Sequence, residues 1–178
     1  LAAGLWIWLP QEPAHVHHAH PRRGSVWDLL ENRRLVATFG VGFCVLFTQV
    51  AMFTYVTFHV AAPPFGLSTV ALGWLFVVYL VGAAATALAG HAIDTHGHRV
   101  GIGSAMTVAA VGALLTLVSS LPVIILGLAL CSTGVFIAQA TTSSFIGAVT
   151  RKDRALAVGM YSTFYYAGGS AGAALPAA

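Results

Sequence analysis

The charged residues of this 178-residue chain fall in three clusters. Glu12, Arg22, Arg23, Asp28, Glu31, Arg33 and Arg34 form the first, Asp94 and Arg99 the second, and Arg151, Lys152, Asp153 and Arg154 the third. Between and after them run uncharged stretches of 59 residues (35–93), 51 residues (100–150) and 24 residues (155–178). An apolar helix needs about 20 residues to cross a bilayer. The first two stretches therefore hold two crossings each, and the third holds one.

Composition closes off the other classes. Only 7% of the residues are charged and 58% are apolar, against about 25% charged in an ordinary soluble domain. So few charges cannot cover a soluble globule, and the apolar content is too high for disorder. Membrane β-barrels need segments of about ten alternating residues, whereas these runs are continuous. The net charge of +3 comes without the clustered Lys and Arg of a nucleic-acid-binding domain. Cys44 and Cys131 sit inside apolar runs and read as small hydrophobes, not as a disulfide framework.

Internal breaks place the turns. Paired prolines at Pro63 and Pro64 interrupt the first long stretch, and Ser119, Ser120 and Pro122 interrupt the second. Both combinations stop helices. The chain is thus expected to be an all-α, polytopic transmembrane bundle. About five complete spans are expected, near 35–60, 67–91, 100–119, 122–148 and 156–178. Residues 1–9 (LAAGLWIWL) read as the end of a sixth, earlier span, and both chain ends are expected to cut through membrane helices. Two spans between successive charged loops put all eight Lys and Arg on one face, which the positive-inside rule assigns to the cytoplasm.

Lipid gives helices no hydrophobic reason to associate, so small residues must allow close backbone approach. They recur at helical spacing as Gly82, Thr86 and Gly90, as Gly101, Ala105, Ala109 and Ala113, and as Gly168 and Gly172. These faces predict a compact bundle.

The second charged cluster carries a motif. Gly90, Asp94, Gly97 and Arg99 fit the pattern G-x-x-x-D-x-x-G-x-R in a short loop between two spans. A glycine at a helix end permits close approach, the aspartate suits a neighbouring helix N-terminus, and the second glycine allows a tight turn. This loop resembles the signature loop of the major facilitator superfamily of transporters. Residues 154–161 and 165–172 are similar to the eleventh helix of its bacterial drug- and sugar-efflux members. Thr95 and His98 depart from the basic residues common at those motif positions.

The resemblance implies a division of the chain. Residues 1–9 would end helix six, 10–34 would be the cytoplasmic linker between halves, and 35–178 would hold helices seven to eleven, with helix twelve absent. It also implies alternating access with an N-terminal six-helix half of the same protein, in a bacterial inner membrane. Asp94 would latch the start of the eleventh helix, around residues 156–159 and the basic cluster 151–154.

Transporter sites lie near the bilayer midplane. The polar and aromatic candidates there are Thr48, Gln49, Phe53, Tyr79, Gln139 and Tyr165. No Asp, Glu, Lys or Arg lies inside a span, so a proton relay would fall in the other half or on His59. His15, His17, His18 and His20 could ligate a metal, but a solvated linker is the preferred reading. No catalytic residue, metal, cofactor or nucleic-acid partner is expected. The expected function is efflux of a small organic solute, with proton coupling open. A membrane scaffold and a histidine-metal membrane enzyme are the alternatives.

Overall fold

The computed structural model describes residues 26–150 and 153–175, without the side chains of residues 89–94 and 96. The expected helix end at 1–9, most of the linker with its histidines, and Arg151 and Lys152 lie outside the described residues. Within them the chain forms α1 (Val26–Glu31), α2 (Arg33–Ala61), α3 (Thr69–Leu75), α4 (Val78–His96), α5 (His98–Leu115), α6 (Leu121–Val149) and α7 (Arg154–Ala174). Four spans are long and apolar enough to cross a membrane: Arg33–Ala61, Thr69–Leu88, His98–Leu115 and Leu121–Val149. The fifth expected span, α7, has bilayer length at 21 residues. It is less apolar because its sequence is rich in Tyr, Ser, Thr and Gly.

Helix α6 is the axis of the bundle. It packs against α4, α5 and α2, while α2 carries α7 along its other side. Its buried face runs from Ile124 through Leu128, Cys131, Ser132, Val135, Ala138, Thr141 and Thr142 to Ile146. The buried hydroxyls of Thr141 and Thr142 donate to the carbonyls of Ile137 and Ala138, at 2.7 and 2.6 Å. Such back-bonding satisfies a polar group without a partner helix. Cys131 is buried, whereas Cys44 lies on the outer surface of α2.

The small-residue faces are where the backbones touch. Gly168 and Gly172 of α7 lie on the backbone of α2 at Phe43 and Phe47, and Gly42 of α2 lies under the Tyr161 ring. Gly134 of α6 lies against Ala105 and Ala109 of α5, and Gly112 of α5 lies against Gly127 and Cys131 of α6. Ala113, expected on that face, is only half-buried, and Gly112 takes the contact instead. Gly82 of α4 meets Phe136 and the Ser132 backbone of α6.

Two elements differ from expectation. The second span is two helices. Between them, Phe76 donates to the Gly73 carbonyl at 3.2 Å, Val77 to Trp74 at 3.0 Å, Tyr79 to Phe76 at 3.1 Å and Leu80 to Val77 at 3.0 Å. These are i to i+3 bonds, a tight 3₁₀-type break in mid-span. The end of the expected linker is also helical. Leu29 of α1 is buried against Leu35, Phe39, Ile146 and Ala157, which pins α1 to the bundle.

The charged residues of the described helices gather at one end. Arg33 and Arg34 open α2, Asp94 lies in the last turn of α4, Arg99 in the first turn of α5, and Arg154 opens α7.

Candidate functional site

Five of the six sequence-derived candidates come together in the middle of the bundle. Gln49 of α2 is 5% exposed and its Nε2 donates to the Ser132 hydroxyl of α6 across a long 3.4 Å. Its Oε1 is buried without a hydrogen-bond partner. Tyr79 lies beside Gln49 and near Tyr165. The Tyr165 hydroxyl donates to Gln139 Oε1 at 3.2 Å, joining α7 to α6. Burying amides and phenols is expensive unless they are paired, so their gathering within two turns of α6 in an uncharged bundle makes them the candidate site.

Aromatic rings wall this group. Phe53 stacks on Tyr79 with centroids 4.4 Å apart, and Phe76 lies 5.4 Å from Phe53 and 5.9 Å from Tyr79. Phe136 meets Tyr79 edge-on at 5.8 Å. Phe76 lies at the break between α3 and α4. Sequence reading placed Phe53 and Tyr79 but missed Phe76, Phe136 and Ser132. The helical register of Phe136 and Ser132, one and two turns before Gln139, was an available signal. Thr48, the sixth candidate, is half-buried and does not join this network among the described residues. Tyr161 stacks on Tyr165 at 5.9 Å, and its buried hydroxyl also lacks a partner.

The signature loop is a sharp corner. A single residue, Gly97, separates α4 from α5, with φ 83° and ψ 158°. That region of backbone space is essentially open to glycine alone. A Cβ at Gly97 would meet no other atom within 4 Å, so its cost would be backbone strain. Gly97→Ala is expected to destabilise the protein by about 1–3 kcal/mol, read as a lower thermal unfolding midpoint in detergent. An unchanged midpoint would show that the corner relaxes freely. Arg99 follows in the first turn of α5 and is exposed. The surroundings of Gly90 and the side chain of Asp94 are outside what the structure describes. Arg154, at the start of α7, rests its guanidinium near Gly147 of α6. Among the described residues no group of three His, Cys, Asp or Glu is placed to hold a metal ion.

A helical bundle with membrane-length apolar spans, charges at one end and a polar, aromatic cluster at its centre defines a multi-pass membrane protein. Its family follows from comparison: residues 38–178 match the Major Facilitator Superfamily, and the chain belongs to that family of transporters. Over 141 residues it is 33% identical to an uncharacterized MFS-type transporter, YybF, of Bacillus subtilis (strain 168), covering 79% of this chain and 35% of that protein. It is 30% identical to an uncharacterized transporter of Buchnera aphidicola subsp. Schizaphis graminum, covering 79% of this chain and 34% of that protein. The chain thus spans about a third of the length of the curated relatives it matches. No solved structure matches it.

Proposed function

We propose that this chain is part of the C-terminal half of a secondary transporter that exports a small organic solute by alternating access. The observation that carries the reading is the cluster of Gln49, Ser132, Tyr79, Gln139 and Tyr165, held at mid-span in a bundle of transporter-family helices. It provides hydrogen-bond donors, acceptors and aromatic faces, and no formal charge. Thr48 borders it one residue along α2. An N-terminal six-helix half would supply the opposite wall, and also any acidic proton relay. The charged end of the bundle would face the cytoplasm of a bacterial inner membrane.

In this reading Gly90, Asp94, Gly97 and Arg99 form the gating loop. Asp94 lies in the last turn of α4, where the helix dipole disfavours an anion by about 0.3–1 kcal/mol. A neighbouring cation or helix N-terminus offsets that cost, and the start of α7 is the proposed latch. Asp94→Asn is expected to insert normally and to lower transport, measured as solute flux into or out of liposomes. Wild-type flux in that variant would remove the latch role. Solute-dependent flux by the reconstituted full-length protein tests the function itself. A full-length protein that folds but moves no solute would favour a scaffold.

A further inference from the structure

At the charged end of the bundle, away from the aromatic cluster, a cavity of about 400 Å³ opens between α2, α5 and α6. It is lined by Arg34, Ala37, Thr38 and Val41 of α2, His98, Arg99 and Ile102 of α5, and Phe145 of α6. Among the described residues the lining contains two guanidiniums and no carboxylate. His98 adds a polar edge, its Nε2 lying 3.3 Å from the Ser144 hydroxyl, with its ring edge-on to Phe145 at 5.7 Å.

The cavity is graded. Arg34, Thr38 and Val41 follow one face of α2, from its first turn to about 10 Å into the bundle at 1.5 Å per residue. Arg99 and Ile102 repeat the gradient on α5. Thr38 adds little polarity below the mouth, because its hydroxyl is spent on the Arg34 carbonyl at 2.7 Å. The mouth is therefore cationic and the wall beneath it apolar: Ala37, Val41, Ile102 and Phe145. Guanidinium groups pair phosphate oxygens bidentately, and basic pockets between membrane helices suit anionic headgroups.

We propose that this cavity binds an anionic phospholipid, its phosphate between Arg34 and Arg99 and the start of an acyl chain against Val41, Ile102 and Phe145. Free phosphate shares the headgroup chemistry but leaves the apolar wall uncovered. The inference rests on the membrane fold and not on the transport reading.

The test uses full-length protein in detergent, observed by native mass spectrometry with added phosphatidylglycerol, phosphatidylcholine or inorganic phosphate. Wild type is expected to retain phosphatidylglycerol over phosphatidylcholine. Arg34→Gln and Arg99→Gln should each weaken retention about fivefold, as expected for one interfacial cation. Ala37→Phe keeps both cations and fills the wall, so it should weaken lipid retention without changing phosphate binding. A photo-crosslinking side chain at Ile102 should yield a lipid adduct. The proposal is overturned by equal retention of the two lipids, or by lipid retention that Ala37→Phe leaves unchanged. It is equally overturned by an adduct at 102 to another segment of the protein. Helicity and monodispersity of each variant separate lost binding from lost folding.

Discussion

Gly112→Leu is expected to stop α5 from docking on α6. A Cβ at Gly112 would fall 2.6 Å from the Gly127 carbonyl oxygen and 2.9 Å from Cys131 Cα, and closer still to the Cys131 nitrogen. All three are backbone atoms, so no rotamer change relieves the clash. The helices must separate, and in lipid their close packing is itself the source of association. Even Gly112→Ala should cost about 1–3 kcal/mol through overpacking, and the larger side chain should leave little monodisperse protein after detergent extraction. Gly103→Ala, on the same helix with open space around it, is the control. Its exposed position should leave stability unchanged or slightly improved through helix propensity. If both glycines accept alanine equally, α5 does not pack on α6 as described.

Gln49→Leu is expected to separate stability from activity. The substitution nearly conserves volume and removes a buried oxygen without a partner, which carries a penalty of about 1–3 kcal/mol. It also removes the long bond to the buried Ser132 hydroxyl and the hydrogen bond with Tyr79, which offsets that gain. The thermal midpoint should therefore change little. Transport should fall about tenfold or more, the effect of losing roughly 1.4 kcal/mol of solute recognition. A variant that is as stable as wild type and transports at the wild-type rate would reduce Gln49 to packing.

Most of this architecture was legible because charge and apolarity leave a membrane segment few options. Charge spacing located four spans long and apolar enough to cross a membrane, and Gly82, Ala105, Ala109, Gly168 and Gly172 mark places where helices touch. Gly97 was legible as a turn, and its backbone conformation explains why glycine is there. The break at 76–77 was not legible. Phe76 and Val77 are ordinary apolar residues, and their i to i+3 bonds express packing that no local pattern encodes. The docking of α1 was hidden similarly: Leu29 lies in a polar segment and finds its partners on α2, α6 and α7. Within the candidate site, residue type singled out Gln49, Tyr79, Gln139 and Tyr165. The pairings Gln49 with Ser132 and Tyr165 with Gln139 depend on how three helices rotate, which single-sequence periodicity does not set.

The placement of the charged residues at one end of the described helices has an electrical consequence. Moving one elementary charge through a membrane potential involves about 2.3 kcal/mol per 100 mV. The helices described here carry no Asp, Glu, Lys or Arg between 35 and 93, between 100 and 150, or beyond 154. In the proposed alternating-access motion, almost no fixed charge of these helices would cross the field, so their movement would neither store nor dissipate electrical work. Under the proposed function, any response of transport to membrane voltage would then be carried by the solute, by a coupling ion, or by the proposed opposite half.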